Sequence, residues 1–245
     1  MQHDATSPVS HPIREPIAPW PHTVALFVLL IGSALLSQQR VTSTPSALPH
    51  LQRYLSSIIL TWMLLGSVVA GIYYRRAFFT RALRSQPTSS RHEARIGLGV
   101  YLCGLIVIAI VGTLVQLTPL AHRHNGALIL GMMPRTTIEF LAWLGLSLTA
   151  GFCEELIFRG YLIDQFTAWT KRPILAIVLS SILFGSVHLY EGPAAVLPLI
   201  SLALLFGFIV RQRKGDLRAV MVAHTLQDFL VALFAFALPH VHPHP

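Results

Sequence analysis

Nothing constrains this chain more than its long apolar blocks, each of about the 17 to 25 residues that a helix needs to cross the hydrocarbon core of a bilayer. Such blocks occur at about Thr23 to Ser37, Tyr54 to Tyr74, Ile96 to Leu117, Thr136 to Tyr161, Pro173 to Leu189, Ala194 to Val210 and Ala219 to Leu238. Only 11% of the residues are charged, against about 25% in a soluble domain, so the chain lacks the polar surface to cover itself in water. The expectation is an all-α polytopic transmembrane bundle of about seven spans, with eight as the alternative count.

The formal net charge of +8 does not point to nucleic acid, because the basic residues sit in short runs between apolar blocks and not on an amphipathic face. They read as topology. Arg75, Arg76, Arg81, Arg84, Arg91 and Arg95 follow the second span, Lys171 and Arg172 the fourth, and Arg211, Arg213, Lys214 and Arg218 the sixth. The opposite loops hold scattered charges such as Arg40, Arg53, Arg123 and Arg135. Because Arg and Lys accumulate on the cytoplasmic side, the N-terminus is expected inside and the C-terminus outside. The first block follows a long polar lead without a clear cleavage site and reads as a retained span.

The chain divides into a polar, proline-containing tail (1–21) expected to be disordered or surface-lying, a first set of membrane helices (22–135), a second set (136–238) and a His/Pro-rich tail (239–245). Cys103 and Cys153 both fall inside spans, form no metal clip, and read as small buried apolar side chains.

The informative residues are ionisable groups where charge is expensive. A charged side chain near the bilayer centre costs about 2.5 to 3.5 kcal/mol even on the lenient insertion scale. Glu154, Glu155 and Asp228 lie inside expected spans, together with Arg159, His188 and His224. Glu155 and Arg159 stand four apart on one helical face and can neutralise each other. Glu154 projects about 100° away from Glu155 and has no such local partner, which suits a general base. Phe184 and His188 share a face of the next span, and a neutral imidazole there can bind a metal or a water. His224 and Asp228 are again four apart, so the carboxylate can orient the imidazole or join it at a common ligand. A lone intramembrane His, or one Glu–Arg pair, is ordinarily a structural fastener. Three such clusters on three spans of one small bundle are harder to read as independent fasteners.

Glu154-Glu155-Leu-Ile-Phe-Arg159, Phe184-Gly-Ser-Val-His188 and His224-Thr-Leu-Gln-Asp228 together resemble the motif set of the CAAX protease and bacteriocin-processing (Abi) family, which includes the type II CAAX prenyl endopeptidases. That set reads Glu-Glu-x-x-x-Arg, Phe-x-x-x-His, then His-x-x-x-Asn or Asp. The resemblance covers about residues 140 to 235 and leaves the first three spans outside it. It implies an all-helical intramembrane endopeptidase in which Glu154 and His188 activate the attacking water and His224 and Asp228 help bind the developing oxyanion, with Glu155 and Arg159 completing the site. An ionised Asp228 cannot donate a hydrogen bond as an Asn would, so it must orient His224, bind a metal or stay protonated.

The family is often called metallo-, but the helical zincin signature His-Glu-x-x-His is absent. A divalent metal such as zinc, held by Glu154, His188, His224 and Asp228, is one expectation, and a metal-free glutamate mechanism is the other. The implied substrate is a hydrophobic or lipidated peptide within the lipid bilayer, in a bacterial cytoplasmic membrane. A proton-coupled transporter and a non-catalytic scaffold are the competing readings. Depth poses a difficulty: a straight fifth helix places His188 about 22 Å from Pro173, while Glu154 and His224 lie near the cytoplasmic ends of their spans. Convergence is expected if the fourth helix runs past Arg159 toward Gln165, the favoured reading, or if the fifth is tilted or begins beyond the membrane surface.

Overall fold

A computed structural model describes residues 16–42, 50–73, 89–120 and 130–237. Its main apolar helices are α1 (Trp20–Thr42), α2 (His50–Tyr73), α3 (Ser90–Gln116), α4 (Thr137–Thr170), α5 (Pro173–Val187), α6 (Pro193–Gln212) and α7 (Arg218–Ala237). All are helical because lipid offers the backbone no hydrogen-bonding partners. Their number and order follow the apolar blocks. The residues Arg75 to Arg84, Arg123 and the tail 239–245 lie outside the described residues.

Boundaries differ where helices continue beyond the hydrocarbon. α3 begins at Ser90, whose preceding Ser89 caps it through His92, so Arg91 and Arg95 belong to the helix and not to a loop. α4 opens with a capping box, in which Thr136 accepts from the Glu139 amide and Glu139 accepts from the Thr136 amide. It then runs 34 residues to Thr170, the favoured of the expected routes to convergence of the polar clusters.

Among the described residues six helices are long and apolar enough to cross a membrane, whereas α5 has 15 residues, about 22 Å, and stops short of the roughly 30 Å core. It ends inside the bundle at His188, where a 3₁₀ turn, Leu189–Glu191, leads to Gly192 at φ 102° and on into α6. Glycine tolerates that backbone conformation without a Cβ clash. Non-helical backbone at membrane depth is tolerated where protein buries it or where it lines a cavity, and this turn lines one.

α7 packs against α3 and α4, α2 against α4, α5 against α6 and the C-terminal part of α4, and α3 against α6. α1 contacts α2, α5 and the Leu189–Glu191 turn. The outward surface is apolar, with Val28, Met63, Ile106, Ile138 and Phe234 all exposed, as a lipid-facing surface should be. Cys153 is buried but Cys103 is exposed on α3. Hydropathy could not separate the two, because a lipid-facing position is as apolar as a core one.

Of the tail expected to be disordered or surface-lying, residues 1–15 lie outside the described residues, and its end docks on α4. The Ile17 and Ala18 amides donate to Gln165 Oε1 at 2.7 and 3.2 Å, and Gln165 Nε2 donates to the Ala18 carbonyl at 2.8 Å. At the end of the bundle holding the α6–α7 connection, Arg213 pairs with Glu93 (2.6 Å) and Asp216 (3.1 Å), and Arg218 pairs with Asp216 (2.7 Å). Burial works against the Asp216 carboxylate, but hydrogen bonds from Arg218 and the nearby Arg213 charge outweigh it and hold its pKa below the ordinary value. Charges read as topology signals thus also tie α3 to the start of α7.

Candidate active site

α4 is not uniform. Between Glu155 and Ile163 it passes through a π-helical segment, Leu156–Leu162, every residue of which is buried. The Phe158 carbonyl accepts from the Ile163 amide and also from Ser180 Oγ of α5 at 2.8 Å. Such segments displace a peptide group from the ordinary ladder and are frequent at functional sites. No pattern in the sequence announces this one, since it depends on an acceptor being taken up by a neighbouring helix.

The two adjacent glutamates face different surroundings. Glu155 has a fully buried side chain (0% exposed), whereas that of Glu154 is 22% exposed. Arg159 donates to Glu155 Oε1 at 2.9 Å, as their spacing predicts. Its guanidinium lies 4.3 Å from the Phe184 ring centroid and 5.4 Å from that of Phe206, within the range of cation–π attraction. Arg159 is therefore a buried partner inside the bundle. Glu154 instead borders a cavity, and its Oε2 is buried with no hydrogen-bond partner.

His224 is held from an unexpected side. Its Nδ1 donates to Glu155 Oε1 at 2.7 Å, so Glu155 orients this imidazole. The sequence spacing had offered Asp228 for that task, but Asp228 Oδ2 stands 3.7 Å from His224 Nε2, beyond hydrogen-bond range. Glu154 Oε2 lies 4.0 Å from the same nitrogen. His188, at the end of α5, donates from Nδ1 to the Phe184 carbonyl at 2.7 Å, which makes Nε2 the acceptor of the neutral ring. Phe184 stacks near His188 (4.6 Å between centroids) and edge-on to His224 (6.1 Å). Motif residues from α4, α5 and α7 thus converge, and Glu154, His188, His224 and Asp228 all line one cavity of about 420 Å³.

Among the described residues no group of three or more His, Cys, Asp or Glu side chains is placed to hold a metal, although Glu154 Oε2 and Asp228 Oδ2 stand 4.0 and 3.7 Å from His224 Nε2.

The cavity also has walls that the motifs did not reveal. Ser33 and Ser37 of α1 and Arg53, Tyr54 and Ser57 of α2 contribute to it, as do Tyr190 and Glu191 from the turn after α5 and Gln227 from α7. Tyr190 and Glu191 follow His188 after Leu189, two polar residues that could have drawn attention. Arg53, read as a scattered loop charge, lies in the first turns of α2.

Gly151 sets the register of the site. A Cβ built there would sit 2.2 Å from Thr225 Oγ1 and 2.9 Å from both the Met221 carbonyl oxygen and the Thr225 amide nitrogen, so α4 and α7 touch backbone to backbone one turn from Glu155 and His224. Gly151→Val is expected to destabilise the bundle by about 1 to 3 kcal/mol. The substitution is also expected to displace His224 from Glu155, and melting in detergent checks the loss of stability.

Residues 136–230 match the family model described as Rce1-like, Type II CAAX prenyl endopeptidase, a span that includes the three motif clusters and opens at the Thr136 cap of α4. No curated protein and no solved structure matches the chain. Three of the six helices of membrane-crossing length and apolarity among the described residues fall wholly or largely within the matched segment, which is membrane-embedded. Residues 136–230 of this multi-pass membrane protein are thus similar to the Rce1-like domain of the type II CAAX prenyl endopeptidases.

Proposed function

We propose that the cavity is the active site of an intramembrane endopeptidase in which Glu154 is the general base for a water that attacks the scissile carbonyl of a membrane-associated or lipidated peptide. The observation that carries this reading is the division of labour between neighbouring glutamates. Glu155 is bound on one oxygen by both Arg159 and His224, while Glu154 presents a buried, unbonded oxygen beside the cavity.

In this scheme Glu154 takes a proton as the water oxygen bonds to the carbonyl carbon, and His188 Nε2 accepts the second water hydrogen to fix the direction of attack. The carbonyl oxygen becomes an oxyanion. His224, oriented at Nδ1 by Glu155, offers Nε2 toward that charge in its proton-carrying form, with Asp228 beside it. Collapse then breaks the C–N bond, and the proton held by Glu154 passes to the leaving amine. Arg159 and Glu155 act as positioning residues. The basic residues at the α4–α5 and α6–α7 connections favour placing those connections, and with them the start of α1, on the cytoplasmic side.

The test is hydrolysis of a hydrophobic reporter peptide by the purified full-length protein in detergent, before and after chelation and with metal content determined. Cleavage that persists after chelation of a metal-free preparation is the expected result. Chelator-sensitive cleavage with stoichiometric metal would replace the glutamate scheme with a metallopeptidase one. Absence of cleavage of any hydrophobic or lipidated reporter would remove the peptidase reading.

A further inference from the structure

One end of the cavity carries a charge that the proposed reaction does not use. Among the described residues lining it, Arg53 is the single Lys or Arg, set against the carboxyl groups of Glu154, Glu191 and Asp228. Arg53 is half-buried, its Nε is buried without a hydrogen-bond partner, and it makes no ion pair among the described residues. A guanidinium that only anchored the helix at the membrane surface would turn toward lipid headgroups, and this one borders the cavity instead.

The surroundings fix its place and its polarity. The next residue, Tyr54, packs edge-on against Trp143 of α4 at 5.1 Å between centroids and donates a hydrogen bond to the Met132 carbonyl. Arg53 therefore sits at the level of Trp143, eleven positions before Glu154 on α4, about 16 Å at 1.5 Å per residue. Nearby, Arg135 adds a second positive charge, and Glu139 is engaged by the amides of Arg135 and Thr136. The cavity is thus positive at the α2 end and lined by carboxyl groups at the other. An extended peptide advances about 3.3 Å per residue, so some five residues separate a group at Arg53 from a bond at Glu154.

We propose that Arg53 is a substrate-binding residue that takes a carboxylate of the peptide, about five residues from the bond that is cut. The assignment rests on the peptidase reading for the nature of the ligand. Bound in the reverse direction, the same carboxylate would face Glu154 and Asp228, so the charge pair selects one orientation as well as one class of peptide. The carboxylate can be the free C-terminus or an acidic side chain, since a guanidinium binds either through the same paired hydrogen bonds.

The experiment measures binding to full-length protein carrying Glu154→Gln, so that bound peptide is not consumed. The probe is an eight-residue Leu/Ala/Ser peptide with a neutral N-terminal fluorophore, followed by anisotropy in detergent. It is made as the free acid, as the C-terminal amide, and as the amide with Asp at its last position. At least one carboxylate form is expected to bind about ten- to a hundredfold more tightly than the plain amide. That preference should vanish on adding Arg53→Gln and partly survive Arg53→Lys, with melting temperatures showing that both variants fold. Preference for the free acid alone identifies the terminal carboxylate, and equal preference for the Asp form identifies the side chain. Equal affinity for all three forms, or a preference that survives Arg53→Gln, overturns the assignment. Cleavage of the same peptides by protein with Glu154 intact reports separately on the peptidase reading: carboxylate preference without cleavage would count against the chemistry and not against Arg53.

Discussion

Glu154→Gln is expected to lower the rate of peptide hydrolysis by about 10² to 10⁴-fold, the usual contribution of a positioned general base, while the bundle remains assembled. Glutamine keeps the size of glutamate and can still hydrogen-bond, but it cannot take a proton from water. The side chain borders the cavity and makes no hydrogen bond through its buried Oε2, so its replacement breaks nothing that holds α4, α5 and α7 together. Steady-state cleavage of the reporter peptide, with melting temperature and gel-filtration profile as controls, checks both halves. A variant that retained more than about a tenth of the wild-type rate would exclude Glu154 as the base. A transporter would show a different pattern, in which the same substitution changes proton uptake by liposomes and no peptide is cut by either protein.

Arg159→Ala should have the largest effect on stability, about 3 to 5 kcal/mol, because it leaves a buried carboxylate without its cation. Glu155 is 0% exposed and its Oε1 accepts from both Arg159 and His224. The substitution also removes the guanidinium that lies over Phe184 and Phe206. Loss of expression yield and a lowered midpoint of denaturation are the expected readings. The double variant Arg159→Met with Glu155→Gln should be less destabilised than the sum of the single changes, since a matched apolar or neutral pair relieves the isolated charge. Additive effects would show that the two side chains do not act as a pair. Activity should fall in every one of these variants, because Glu155 also orients His224.

What was legible in the sequence follows from whether a property is local to one helix. Apolar block length placed seven helices in order, because leaving water depends on the side chains of the segment alone. The i,i+4 rule paired Glu155 with Arg159 and turned Glu154 away, because both residues ride on one helix. The length of α4 was reached only as the condition that would let Glu154 meet His188 and His224, and the helix does continue to Thr170. The end of α5 was legible to within two residues, since the apolar block stops at Leu189, but the 3₁₀ turn Leu189–Glu191 that lines the cavity was not. The docked segment at Ile17 and Ala18 was missed for a related reason: its partner, Gln165, is 147 positions away from Ala18.

The sequence by itself determined that this protein lives in the membrane as a helical bundle and which ionisable residues it carries into the lipid, because transfer energy and helical spacing are properties of a segment. Only the tertiary structure decided that Glu155 and not Asp228 holds His224, that α4 unwinds into a π-helical segment braced by Ser180, and that Arg53 faces the cavity carrying the motif residues. Each of these depends on how closely two helices approach and in what register. In this bundle that is set by contacts such as Gly151 against the backbone of α7, where packing between helices, and not any preference within them, selects the geometry.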